Sequence, residues 1–253
     1  MEKEMKSKVE EIIGKIERMS LLQDQGCTSE VHQVVTEEGS YVLKSSYERK
    51  YREWLRNEAV VLEKLNTNTE IPTPSYYGYF EGKNSSHLFM SFEKGITLTT
   101  ALREAEKQEQ LSLIKSFGQF LQRLHETTVT GFYNNHWLAE QLKKAESYLK
   151  TGHADGDLEL LQKITLDRPS SVQQTMIHGD CTTDNVMVLD GKLIMFIDVG
   201  GMTIGDPRYD ESLAIRKWII HKEYMEAFYE GYRRYKVTKE EFEYFNEGLY
   251  EFF

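Results

Sequence analysis

The chain has 253 residues, 40% hydrophobic and 28% charged, with a net charge of −10. That length and apolar content support one or two packed domains, and the acidic balance excludes a general phosphate-backbone binder, which needs a basic face. No run of 18 apolar residues occurs, which excludes a predicted membrane-spanning helix, and Cys27 and Cys181 lie too far apart for a disulfide framework or a zinc pattern.

The N-terminal stretch mixes acids and bases and lacks the apolar core of a signal peptide, so a reducing cytoplasm is the expected location. Val9, Ile12, Ile13 and Ile16 recur at helical spacing, which predicts one amphipathic helix over residues 2–19. Residues 21–46 are rich in β-branched side chains, with "EEGS" as a turn, and predict two or three antiparallel strands. Over 48–66, Trp54, Leu55, Ala59, Leu62 and Leu65 form one helical stripe. Residues 71–92 predict two strands around the turn "GKNS". The first 95 or so residues therefore read as a five-stranded antiparallel sheet with an inserted helix.

Beyond Gly95 the periodicity becomes helical, through "TLTTALREA", "EQLSLIKSFGQFLQRLHET", 137–150 and 157–165. Short strands return at 175–177, 186–189 and 193–197, and residues from 208 onward are helical again. Most of the acid excess lies here: after residue 120 there are 15 Lys and Arg against 22 Asp and Glu. On charge alone this reads as a device for solubility.

Residues 177–188, "IHGDCTTDNVMV", hold more polar groups than a surface turn requires. A hairpin from 186–189 to 193–197, turning at "DGKL", runs the chain out and back. It predicts that Asp180, Asn185 and Asp198 converge. All three offer hard oxygen donors, which suit Mg²⁺ whose remaining ligands are phosphate oxygens. Asp180 is placed to orient an acceptor hydroxyl or take its proton. Singly, each of these residues is an ordinary turn former; the spacing of the set is what points to chemistry.

"HGDCTTDN" (178–185), "FIDVGG" (196–201) and "IGDPRYDESLA" (204–214) together resemble the aminoglycoside phosphotransferase family, whose fold is protein-kinase-like. The resemblance implies an α+β, bilobal protein-kinase-like fold. Residues 1–93 would form an N-terminal nucleotide-binding lobe with the five-stranded sheet, and 94–253 a mainly helical catalytic and acceptor-binding lobe. It implies Asp180 as catalytic base and Asn185 and Asp198 as Mg²⁺ ligands. Lys44 in "YVLK" would grip the α- and β-phosphates, with Glu58 holding it in place, although Glu53 and Glu63 lie on the same helix. His178 would support the loop, and Asp210 would brace it by accepting backbone N–H bonds; Asp206 is placed to begin the following helix.

The loop "GCTSEV" (26–31) has one glycine where protein kinases have three, which leaves Thr28 and Ser29 to meet phosphate through hydroxyls and backbone amides, or a plain hairpin turn. "HLFMSFEKGITL" resembles the family's hinge, with Ser91 to Glu93 offering backbone groups to the base and Met90 behind it. No activation segment is evident, which disfavours a protein substrate. The implied cofactors are ATP, with GTP as the alternative, and Mg²⁺. The implied acceptor is a cationic small-molecule alcohol, first an aminoglycoside in an antibiotic-resistance role. Choline or ethanolamine, sugar and homoserine kinases of the same fold, or a non-catalytic nucleotide-binding module, are the alternatives. Neither nucleic acid nor membrane is an expected partner, and the expected state is a monomer or weak dimer. Candidate acceptor-binding acids are Asp155, Asp157, Glu226, Glu230, Glu247 and Glu251. Tyr224, Phe228, Tyr229 and Tyr232 have the spacing of core packing.

Overall fold

A computed structural model of the chain describes residues 3–22, 25–26, 28–66 and 71–253. Cys27, in the glycine-containing loop, lies outside the described residues. The fold is α+β, and the chain divides into two compact units: residues 1–94 with 195–200, and residues 95–194 with 201–253. A single cut at 93/94 misses the return of Met195–Gly200 to the first unit, where the Phe196 N–H donates to the Pro72 carbonyl at 2.9 Å.

The first unit begins with α1 (Lys3–Ile13), followed by β1 (Ile16–Leu21), β2 (Glu30–Thr36) and β3 (Gly39–Ser46). Helix α2 (Arg49–Asn66) then precedes β4 (Tyr76–Glu81) and β5 (Ser86–Ser91). The strands form one antiparallel sheet in the order β1-β2-β3-β5-β4. The single helix expected over 2–19 is corrected: it stops at Ile13, and Ile16 opens β1 opposite Thr36. Gly14 adopts φ +80°, a left-handed conformation that ends a helix at little cost. The Glu10 carboxylate then accepts the Ile16 N–H at 3.0 Å, satisfying the backbone where the chain changes direction.

The alternation of β3 decides what each face of the sheet does. Tyr41 and Leu43 join Val34 and Phe89 under Val9 and Ile13 of α1. Burying each such side chain contributes about 1.5–3 kcal/mol. Lys44 points to the opposite face, where α2 packs. The stripe predicted for α2 is buried at Leu55, Ala59, Leu62 and Leu65, with Trp54 half-buried, and Glu58 is buried beside them.

The second unit contains β6 (Ile96–Thr97), α3 (Leu98–Glu104), α4 (Lys107–Glu126), α5 (Trp137–Thr151) and α6 (Leu158–Leu166). There follow β7 (Thr175–Ile177), β8 (Val186–Leu189), β9 (Lys192–Phe196, of which Met195 and Phe196 belong to the first unit), β10 (Thr203–Gly205), α7 (Pro207–Ile215), α8 (Lys222–Gly231) and α9 (Lys239–Phe242). β7 pairs with β10, and β8 lies between β6 and β9. Both α3 and α6 are capped by side-chain oxygens, from Thr97 and Asp157. Asp157 therefore has a local structural task. A core around Trp137, Tyr209, Leu213 and Phe245 packs the C-terminal turns, including Leu249 and Phe252, against α5 and α6. Phe228 and Tyr232 are fully buried, as their spacing predicts, whereas Tyr224 and Tyr229 are half-buried.

Helix α7 is buried along its whole length and carries Glu211 in the interior. Glu211 Oε1 accepts from the Val237 N–H and the Tyr229 hydroxyl at 2.7 and 2.8 Å, while Oε2 has no partner among the described residues. Burial pushes this carboxyl up to about 8, against the pull of its two donors. Its stabilising contribution is complete below the ordinary value of 4.5 and is lost as pH rises through about 8. The limiting slope is about 1.4 kcal/mol per pH unit. Glu211→Gln keeps the Oε1 acceptor and removes the titration. Urea unfolding should show the variant gaining on the wild type between pH 6 and pH 8.5; parallel stability curves would contradict this.

Candidate active site

In the first unit, Lys44 is the organising residue. Its Nζ donates to Glu58 Oε2 and Oε1 at 2.7 and 2.9 Å, and to Asp198 Oδ1 at 3.3 Å. Glu58 thus takes the place that Glu53 and Glu63 shared with it in the sequence. Burial lowers the Lys44 pKa, but the Asp198 and Glu58 carboxylates outweigh it and hold the ammonium above its ordinary value. Lys44 is therefore a fixed positive charge. Asp198 sits at φ +57°, in the left-handed region that non-glycine residues rarely adopt. Its side chain is half-exposed while Oδ1 meets Lys44, so a strained backbone holds a charged carboxylate at the protein surface, a combination typical of functional positions.

Thr28 and Ser29 are tied to the end of β3. The Ser46 hydroxyl donates to the Thr28 carbonyl at 3.1 Å and lies 2.6 Å from Ser29 Oγ. The hinge expectation is narrowed, on the donor side only, at Ser91. Its N–H donates to the Ser75 carbonyl and its hydroxyl accepts the Ser75 N–H, while the Phe92 N–H donates to Ser40. These donors serve the sheet edge, which leaves the exposed Glu93 as the candidate backbone donor of the segment. Met90 is buried in the sheet, paired with Val42 and Tyr76.

In the second unit, the loop 178–185 is built from its backbone upward. Asp210 is fully buried. Its Oδ2 accepts the His178 N–H at 2.6 Å and its Oδ1 the Gly179 N–H at 2.8 Å. His178 is buried as well, and its Nδ1 accepts the Asp180 N–H at 3.2 Å. Gly179 adopts φ +82°, and a Cβ there would lie 2.4 Å from the Gly201 carbonyl oxygen, so only glycine fits. A helical turn at Thr183–Asn185 then brings Asn185 back onto Asp180. Asn185 Nδ2 donates to Asp180 Oδ2 at 2.8 Å and to the Asp180 carbonyl at 2.9 Å. Those two bonds fix the amide's orientation and make Oδ1 the atom that could hold a metal. Cys181, in the same loop, is buried and its thiol pKa is pushed well up, so it is inert.

Four features of this site were not expected from the sequence. Tyr250 donates its hydroxyl to Asp180 Oδ1 at 3.2 Å. His125, on α4, lies 3.3 Å from Asp210 Oδ2 through Nε2, and its Nδ1 lies 2.9 Å from the Tyr232 hydroxyl. A carboxylate only accepts, so Nε2 carries a proton and donates to Asp210. Lys217 Nζ donates to Thr99 and Thr183, both at 3.0 Å, and to Asp184 at 2.8 Å, clamping the loop's second half. Arg208 is buried against Asp206, which caps α7. Only a lone buried-face histidine in "RLHE" and a tyrosine in the C-terminal tail signalled any of this. Of the candidate acceptor-binding acids, Glu230 pairs with Lys115 and Glu226 with Lys222.

The model of the phosphotransferase enzyme family matches residues 23–244 of this chain. An aminoglycoside 3'-phosphotransferase of Enterococcus faecalis is 23% identical over 177 residues, covering 64% of this chain and 66% of that protein. One from Escherichia coli is 26% identical over 160 residues, covering 58% of each. The matched stretch thus spans less than two thirds of these relatives' length. Among solved structures, an aminoglycoside-3'-phosphotransferase of type VIII superposes with a TM-score of 0.78 at 21% identity, covering 93% of both chains. The Streptomyces rimosus aminoglycoside phosphotransferase in complex with ADP and streptomycin gives a TM-score of 0.73 at 18% identity over 92% of both. These likenesses establish a shared fold.

Proposed function

Because this chain belongs to the phosphotransferase enzyme family, we propose that it transfers the γ-phosphoryl group of ATP to a hydroxyl of a cationic amino sugar of the aminoglycoside class. The observation that carries this reading is the Asp180 carboxylate, presented on a backbone that buried Asp210 holds and oriented by Asn185. In the reaction the acceptor oxygen bonds to the γ-phosphorus, the bond from phosphorus to the β–γ bridging oxygen breaks, and ADP leaves. The acceptor's proton passes to Asp180.

The remaining roles follow from charge and hydrogen-bonding capacity. Lys44 meets the α- and β-phosphates as a permanent cation, held by Glu58. Glu93 offers its N–H to the base, and Thr28 and Ser29 line the phosphate loop. Among the described residues no three His, Cys, Asp or Glu side chains cluster as a metal cage. Mg²⁺ is commonly held by one or two protein oxygens together with substrate phosphates. Asp198 and Asn185, through its Oδ1, each offer a hard oxygen of that kind. When bound, the ion neutralises charge on the phosphates. The unit of residues 1–94 with 195–200 would serve the nucleotide, and the rest of the chain the acceptor. The acid excess after residue 120 is compatible with a polycationic acceptor.

ATP consumption is measured with streptomycin and other aminoglycosides, choline, ethanolamine, homoserine and simple sugars. Turnover is expected with aminoglycosides, falling by about a hundredfold or more in Lys44→Met. Turnover with choline or a sugar alone would replace the acceptor class. Tight Mg·ATP binding without transfer to any acceptor would make the chain a nucleotide-binding module.

A further inference from the structure

Both oxygens of the Asp180 carboxylate have donors, and the two donors differ in kind. Asn185 belongs to the same loop and reaches Oδ2 at 2.8 Å. Tyr250 comes from the other end of the unit, 70 residues away, and reaches Oδ1 at 3.2 Å. A phenol hydroxyl on that oxygen makes the bond that an acceptor alcohol would make before giving up its proton. From the geometry we propose that Tyr250 is a positioning residue that occupies the acceptor hydroxyl's seat on Asp180 and excludes water from it until an acceptor takes its place. The inference rests on Asp180 being the base of the proposed phosphoryl transfer.

Three further observations suit this role. The backbone around Tyr250 is anchored, because Leu249 and Phe252 on either side are fully buried. The Asp155 and Gly156 N–H groups donate to the neighbouring Glu251 carbonyl at 3.1 and 2.8 Å. The seat therefore opens by rotation of one side chain, with the C-terminal turn staying in place. The ring itself is half-buried, with the Arg216 guanidinium 4.7 Å from its centroid, so its resting position is defined. Burial and the neighbouring Asp180 charge push the phenol's pKa up, which keeps it a neutral O–H donor that cannot itself act as the base.

The seat matters because a kinase with an exposed base wastes ATP on water. With Tyr250 displaced, a water oxygen attacks the γ-phosphorus, the bond to the β–γ bridging oxygen breaks, and the products are ADP and inorganic phosphate. The water's proton passes to Asp180 and on to solvent. Tyr250 lowers the fraction of protein with a vacant seat, and both water and acceptor are penalised by that fraction.

The test uses the full chain with Mg·ATP and no acceptor, and phosphate release is measured for wild type, Tyr250→Phe, Tyr250→Ala, Asp180→Asn and the Asp180→Asn/Tyr250→Phe double variant. Phenylalanine keeps the ring and its stacking and removes only the hydroxyl. Phosphate release should rise about tenfold in Tyr250→Phe, the scale of one hydrogen bond to a charged group, and should rise in Tyr250→Ala too. The rise should vanish in the double variant. Unchanged release in both Tyr250 variants, with Asp180→Asn still lowering it, would overturn the inference and leave the assignment of Asp180 standing. A rise that persists in the double variant would mean loosened packing and would also overturn it. Undiminished release in Asp180→Asn alone would remove the role of Asp180 and the inference with it.

Discussion

Asp180→Asn should lower kcat by about 10²–10⁴-fold, the range over which a positioned general base acts, while leaving the KM for ATP nearly unchanged. The substitution preserves shape, so what it removes is the ability to take a proton and the negative charge that orients the acceptor hydroxyl. Asn185 Nδ2 now meets Oδ2 at 2.8 Å, and the new amide must turn its own oxygen there, since two N–H donors repel. Its NH₂ then faces Tyr250, whose hydroxyl accepts as readily as it donates. The fold therefore has a satisfied arrangement for the variant, and its melting temperature should remain close to that of the wild type. A steady-state assay on the responsive acceptor, paired with thermal unfolding, separates the two effects. A kcat within threefold of the wild type would refute the role given to Asp180.

Asp210→Ala should instead be costly to the fold. The side chain is fully buried and accepts two backbone N–H groups, from His178 and Gly179, with His125 as a third donor. Removing it strands the two backbone donors where water does not reach, at about 1–3 kcal/mol each. Together, roughly 2–6 kcal/mol would be a large share of the stability of an ordinary domain. Activity should disappear at temperatures where the variant is still folded, because the left-handed Gly179 backbone loses the acceptor that holds it beside Gly201. Asp210→Asn retains one acceptor and sets an NH₂ against the other N–H, so it should lose almost as much. Urea unfolding measures the first effect and turnover below the transition the second. A loss under about 1 kcal/mol in both variants would show that the brace is dispensable.

Much of the local architecture was legible in the sequence because it is encoded within a few residues. Alternation on β3 separates Tyr41 and Leu43 from Lys44, whatever the rest of the chain does. The stripe on α2, the turn between β4 and β5, and the strands on either side of "DGK" follow from periodicity and turn chemistry in the same way. The one clear failure, the helix over 2–19, has a local and a tertiary cause. Ile16 fits a helical stripe, but Gly14 ends the helix and pairing with Thr36 draws Ile16 into the sheet. A short apolar spacing cannot distinguish those outcomes without the partner strand.

The sequence alone determined the α+β class and the polar loop that carries Asp180 and Asn185, since turn residues and hydrophobic spacing act over short stretches. The tertiary structure decided that Glu58, and neither neighbour on its helix, holds Lys44, and that Met195–Gly200 returns to the first unit. It also decided that the Ser91 N–H serves the sheet, that His125 reaches Asp210 across 85 residues, and that Tyr250 covers Asp180 across 70. These pairings join side chains far apart along the chain. Which of several chemically adequate partners arrives is settled by how the buried helices pack, and no local pattern records that.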